Sequence, residues 1–336
     1  MSQDSGTISK IKEKFYNMGF GNTPVVPLKQ DNGSVIYAKL ESFNKYGSVK
    51  DRAAFFMVNE ILFASGDKVK QVLVEGTSGN TGIAIGNICS ELKIKSMIII
   101  PPGTFPETVQ KLRESGADVK ITSEAPDVTS TENSIRESMD LMKNHPGEYV
   151  ALHQHGNDMN WLSHVYTTGP EAESQIGIPD YVCICMGTGG SIMGVGRYFR
   201  DRNPGVKVVM GQSDGTTFIQ GIRNYKKAGD KEIIEKNVGI VDSIITVTQQ
   251  EALKSVKELW DKHGIFAGLS SGANYHCSKK LAMPHPGSKI LTVFPDNGGK
   301  YHKLYLEKGI FTASEMANMS KSAFEIRDNF IQSHLK

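Results

Sequence analysis

The chain has 336 residues, 39% of them hydrophobic, 22% charged and 8% aromatic, with a formal net charge of +2. That length points to about two domains or one large α/β unit. The near-neutral charge gives no case for nucleic acid or an anionic membrane as a partner, although a small anionic ligand needs only a local positive field.

The first residues, "MSQDSGTISKIKEKF", hold no apolar core of signal-peptide length, and no apolar run reaches spanning length. Four cysteines do not make a disulfide framework in a chain of this size. Cys183 and Cys185 sit two apart in "YVCIC", so a strand turns both to one face, and core packing is the expectation. These features read as a soluble, reduced, cytoplasmic protein.

In chain order, "QVLVE" (71–75), "SMIII", "ADVKIT" (117–122) and "EYVAL" (148–152) read as strands. Helix-like stretches follow the first three. A second series follows, with helices between: "YVCIC" (181–185), "VKVVM" (206–210), "SIITV" (243–247) and "KILTVF" (289–294). Alternating strand and helix predicts parallel sheets covered on both faces. The two series predict two α/β domains that meet near "LHQHGNDMNW" (152–161). The tail after Ser314 is polar with a helical pattern.

Ligands bind beyond the carboxyl ends of strands in open parallel sheets, and four loops there are unusual. The first is Gly76-Thr77-Ser78-Gly79-Asn80-Thr81-Gly82, small residues and hydroxyls at a helix start. It suits a carboxylate or phosphate on free N–H groups, or is a capped turn. The second is Gly187-Thr188-Gly189-Gly190-Ser191. It fits a phosphate better than a dinucleotide, because Ile192 stands where a third glycine belongs. The third places Ser270 and Ser271 in "FAGLSSGAN", either as helix caps or as ligands; the fourth is "FPDNGGKY" (294–301). His153 and His155 make a ligand pair without an evident third member, so no metal is expected. No Gly-x-Ser-x-Gly elbow is present.

Taken in order, Lys50 in "SVKDR", then "TSGNTG", "GTGGS", "GLSSGA" and "PDNGGKY" resemble the motif set of fold-type II pyridoxal phosphate enzymes. The resemblance is closest to cysteine synthases, the O-acetylserine and O-phosphoserine sulfhydrylases, and "GNTPVVPL" (21–28) and "TTGPE" (167–171) share in it. It implies a tryptophan-synthase-β-like α/β fold of two mainly parallel twisted sheets flanked by helices. The smaller, mobile domain would be 42–152. Residues 1–41 and 153–336 would form the larger one. It also implies a homodimer.

The resemblance assigns roles residue by residue. Lys50 is the catalytic lysine that forms a Schiff base with pyridoxal 5'-phosphate. Asn80 meets the ring hydroxyl, Gly187, Thr188, Gly189, Gly190 and Ser191 cradle the phosphate, and Ser270 faces the pyridine nitrogen. Thr77, Ser78, Asn80, Thr81 and Gln154 grip the substrate carboxylate. A neutral serine at the pyridine nitrogen makes a weaker electron sink than a carboxylate would, which suits β-elimination. The implied reaction is elimination from an O-activated L-serine to an α-aminoacrylate, then sulfide addition to give cysteine. A sulfur-carrier protein and other sulfur donors stay open.

Two departures, Asn44-Lys45 for Asn-Pro and His153-Gln154-His155 for Gln-Gln-Phe, leave the cofactor loops alone. Arg223, in a short loop after "VKVVMGQSDG", points to O-phosphoserine ahead of O-acetylserine, since a guanidinium pairs a phosphate bidentately. Otherwise Arg223 is a solvated loop charge. Rival readings are a cystathionine β-synthase-type condensation, a β-substituting synthase with an amine nucleophile, and an idle homologue that binds a partner's peptide tail. Threonine dehydratases differ at the lysine and asparagine motifs.

Overall fold

A computed structural model describes residues 5–66, 68–77, 79–104, 106–123, 130–317 and 319. Ser78 and most of the polar tail after Ser314 lie outside them. Among the described residues ten strands form two sheets. They are β1 (Val25–Lys29), β2 (Val35–Leu40), β3 (Val72–Gly76), β4 (Ser96–Ile100), β5 (Asp118–Ile121), β6 (Tyr149–Ala151), β7 (Tyr181–Cys185), β8 (Lys207–Ser213), β9 (Ser243–Val247) and β10 (Lys289–Phe294). The larger sheet runs β1-β2-β10-β7-β8-β9 and the smaller β5-β4-β3-β6. Every pairing is parallel except β1 with β2.

All eight apolar runs in the sequence become strands; the inner strands β3, β4, β7, β8 and β10 are largely buried and need a continuous Val/Ile/Leu run, whereas the edge strands β5 and β9 stay largely exposed. The structure adds β1 and β2, which the pattern did not disclose. Pro27 is tolerated in β1 because that strand is an antiparallel edge. In β2 a fully buried Lys39 interrupts the apolar run.

One apolar cluster joins helices 249–263 and 269–282 to one face of the larger sheet, and it includes Cys183, Cys185 and Cys277. A second covers the opposite face beneath the helix Gly190–Arg202. All four cysteines are buried and free, in keeping with the packing role expected. The third cluster joins the smaller sheet to the helices Ser5–Asn17 and Lys50–Ala64, with Phe15 stacked on Phe20, edge-on to Phe55, and Phe20 tilted against Phe55 at centroid distances of 4.8–5.4 Å. Among the described residues no helix is long and apolar enough to cross a membrane.

The helix Lys50–Ala64 is buried nearly all round. Its third residue, Arg52, is fully buried and makes two bidentate pairs. Nε and Nη2 donate to Glu41 (2.6 and 2.9 Å), and Nη1 and Nη2 donate to Glu171 (2.7 and 2.8 Å). Lys39 Nζ meets Glu171 at 3.0 Å, so the cluster holds two cations and two anions. Burial would lower the Arg52 pKa, but Glu171 and Glu41 carry it above its ordinary value. Burial would raise that of Glu171, but Arg52 and Lys39 hold it well below the carboxylate range. Glu41 directly follows β2, and Glu171 lies in the helix Gly169–Ile176, so Arg52 pins its helix to the larger sheet's side.

Replacing Arg52 with methionine strips the cation from two buried carboxylates. Urea unfolding should show a loss of roughly 3–5 kcal/mol, the scale of breaking a buried pair. A loss under about 1 kcal/mol, the scale of an exposed pair, would contradict the anchoring role.

Candidate active site

Each sheet has a place where neighbouring strands send their chains to opposite sides. In the smaller sheet it lies between β3 and β6, in the larger between β7 and β10. Such switch points open a crevice beyond the carboxyl ends of the strands. Here the two crevices face one another. The loops after β3, β6, β7 and β10 line one cleft of about 750 Å³, together with residues 213–224, Ser270 and the start of the helix Lys50–Ala64.

Lys50 is the first residue of that helix, two positions before Arg52. Two residues turn a helix by about 200°, so the anchored Arg52 and the cleft-lining Lys50 point to opposite sides. No hydrogen-bond partner reaches Lys50 Nζ among the described residues. By surface area Lys50 is only half-buried, yet it sits deep in the cleft, away from bulk water. Burial and then the charge of Lys300 bring its pKa down to about 8, against the opposing pull of Asp296 and Glu75. Beside it, Asp51 accepts from Tyr46 N (2.6 Å) and closes the turn before the helix.

The Gly187–Ser191 turn forms another wall. Gly189 has a φ of +93°, open to glycine, and starts the helix Gly190–Arg202. A Cβ on Gly190 would lie 2.0 Å from Asn160 Oδ1. Asn160 Nδ2 donates to Thr188 Oγ1 (2.9 Å), which also accepts from Gly190 N (3.3 Å). The Thr188 hydroxyl therefore keeps its own proton for another acceptor. Among the described residues the N–H groups of Gly187, Thr188 and Gly189 find no acceptor. Ser191 Oγ rests against His164 Nε2 at 3.2 Å. Unbonded amides at a helix N-terminus that share a cleft with an unbonded amine fit a phosphorylated aldehyde.

Thr77, Asn80, Thr81 and Gln154 line the same cleft, while Ser78 lies outside the described residues. Thr81 Oγ1 donates to Gln154 Oε1 at 2.8 Å. Asn80 Nδ2 donates to Asp296 Oδ2 (2.8 Å) and Asn80 Oδ1 accepts from Lys300 Nζ (3.0 Å). Ser270 sits inside the helix Leu269–Ala282, whose cap is Gly268, so neither Ser270 nor Ser271 caps it. Gly79 likewise starts the helix Asn80–Glu91 without a side-chain cap. Tyr301, hydrogen-bonded to Ser270, lies 3.3 Å from Asp296 Oδ2.

Arg223 is no solvated loop charge. Its Nη1 donates to His155 Nδ1 (2.9 Å) and to the carbonyl of Asp230 (2.6 Å), while Nη2 lies 3.8 Å from Glu132 Oε1. Burial and the Arg223 charge push the His155 pKa down to about 3, so its ring is neutral and accepts through Nδ1. His153 instead pairs with Asp230 Oδ2 at 2.7 Å, which raises its pKa. The pair His153 and His155 gains no third member; His153 instead lies with Asp230 and Glu232, their ligand atoms within 4.8 Å of one another. His155 turns away from that group to Arg223. Lys45, in place of the family's proline, reaches Met18 O (3.0 Å) and Glu91 (2.7 Å), away from the cleft lining.

Sequence reasoning missed Asn160, Glu132, Asp296, Lys300 and Tyr301. The last three sit in "FPDNGGKY", where charges in a strand-end loop were the available signal. Asn160 and Glu132 lie in helical segments with nothing to mark them.

A family model described as pyridoxal-phosphate dependent enzyme matches residues 16–296. The cysteine synthase B of Salmonella typhimurium is 33% identical over 295 residues, covering 87% of this chain and 94% of that protein. In structure the chain is similar to a cysteine synthase of Entamoeba histolytica (28% identity, TM-score 0.79, covering 89% of this chain and 90% of that one). It is also similar to an O-acetylserine dependent cystathionine β-synthase of Helicobacter pylori (28% identity, TM-score 0.76, covering 90% and 98%). The chain belongs to the pyridoxal-phosphate dependent enzyme family, as one of its β-substituting members.

Proposed function

We propose that the cleft makes L-cysteine from an O-activated L-serine, with O-phosphoserine favoured over O-acetylserine and sulfide as the nucleophile. The observation that carries this reading is Lys50, an amine without a hydrogen-bond partner among the described residues, in the same cleft as the unbonded amides of 187–189. Pyridoxal phosphate bound at Lys50 supplies the electron sink for charge at the substrate α-carbon.

The chain's own groups do the rest. The amides of Gly187, Thr188, Gly189 and Gly190, with the hydroxyls of Thr188 and Ser191, hold the phosphate. Asn80 meets the ring hydroxyl and Ser270 the pyridine nitrogen. Thr77, Ser78, Asn80, Thr81 and Gln154 orient the α-carboxylate. Lys50 Nζ takes the α-proton and returns it; a pKa near 8 leaves a working fraction of free amine at neutral pH. Arg223, fixed through Nη1, turns Nη2 toward Glu132, and a phosphate leaving group competes with Glu132 for it.

Residues 42–152 form the smaller unit against 1–41 and 153–336, the part beyond the Arg52-anchored helix Lys50–Ala64 closes on substrate, and two copies of the chain pair. Glu132 supports the closure, because it accepts from Gly229 N at 3.1 Å. A second reading, homocysteine as the nucleophile, is favoured by the likeness to the Helicobacter pylori cystathionine β-synthase.

The holoenzyme should show a visible absorption band from cofactor held by Lys50. Lys50→Ala should bind added cofactor without that covalent band, and turnover should fall at least about 10³-fold, the scale of a lost nucleophile and base. Full turnover in Lys50→Ala would end the assignment. In assays with sulfide, Arg223→Ala should lower kcat/KM for O-phosphoserine by about 10²-fold or more and for O-acetylserine by less than about threefold. Equal losses on both donors would remove Arg223 from the phosphate site. Faster product formation with homocysteine than with sulfide would replace the first reading by the second.

A further inference from the structure

Asn80 is held between two groups that can each bond it in only one way. Lys300 Nζ donates to Oδ1 at 3.0 Å, and an ammonium cannot accept. Asp296 Oδ2 accepts from Nδ2 at 2.8 Å, and a carboxylate cannot donate. Lys300 and Asp296 also form an ion pair with each other, which closes a three-membered ring of contacts. Lys300 and Asp296 are 19% and 6% exposed, so water does little to loosen the ring.

Only one orientation of the amide satisfies both neighbours. That orientation spends one Nδ2–H on Asp296 and leaves the other unbonded in a residue that lines the cleft. With Lys300 absent, Asp296 still holds Nδ2 but nothing holds Oδ1, so the side chain can swing about that one bond and turn its second N–H away from the ring oxygen.

We propose that Lys300 is a positioning residue. Through Asn80 Oδ1 it locks the amide with an N–H toward the cofactor's ring oxygen, and so sets that oxygen's ionisation. The proposal rests on the role given to Asn80 under the proposed function.

The test uses holoenzyme and reads the ratio of visible to near-ultraviolet absorbance of the bound cofactor, which follows ionisation of the ring oxygen. Asn80→Ala should lower the ratio about two- to tenfold, the equilibrium value of one hydrogen bond. Lys300→Met should lower it by a similar factor. Lys300→Arg, which also only donates, should restore it. Lys300→Met should add nothing in the Asn80→Ala background. If the methionine variant does not fold, Lys300→Gln carries the same test, because its amide does not enforce one orientation. An unchanged ratio in the folded Lys300 variant overturns the proposal. So does a shift that persists in full without Asn80, which would make Lys300 a through-space charge only. If Asn80→Ala itself leaves the ratio unchanged, the role of Asn80 fails first, and the two failures are told apart.

Discussion

The doubly bidentate grip of Arg52 on Glu41 and Glu171 is the constraint on which the site depends. The cost of burying four charges is large, and it is offset only when every donor and acceptor is matched. Thr23 and Asn44 complete the matching around Glu41, and Tyr16 does so at Glu171. Because Arg52 and Lys50 share one helical turn, fixing the guanidinium also fixes the direction in which Lys50 leaves the helix. The ion cluster and the reactive amine are thus two faces of one structural decision, made within "VKDR".

The cleft then combines opposite electrostatic demands. Lys50 needs a free amine, so it sits where water is scarce and Lys300 adds a second positive charge. A phosphate needs donors, which the 187–191 turn supplies as backbone amides without adding a side-chain charge beside the lysine. Asp296 restrains the surplus positive charge by pairing Lys300 and accepting from Asn80. His155 stays neutral against Arg223, so the guanidinium is held without losing its charge to a partner anion on that side.

Much of this was legible in the sequence, for physical reasons. Covered parallel strands must be apolar throughout, so "KILTVF" and "YVCIC" announced themselves. Tight turns near a ligand must be glycine-rich, so the 76–82 and 187–191 loops did too. What stayed hidden depends on partners far apart in the chain. β2 was obscured by Lys39, whose burial makes sense only with Glu171 some 130 residues later. Asn160 beneath Thr188 and Glu132 opposite Arg223 carry no local signature, because their contacts are created by the fold. The serines at 270 and 271 looked like caps because serine usually is one; Gly268 holds that place here.

Three described lysines, Lys50, Lys227 and Lys300, line the cleft, and the account rests on Lys50 alone holding the cofactor. Reduction of the holoenzyme with borohydride, followed by proteolysis and mass analysis, decides between them. The account predicts the pyridoxyl mass on the peptide that contains Lys50, with Lys227 and Lys300 unmodified. A label on Lys300, or none on Lys50, would contradict it.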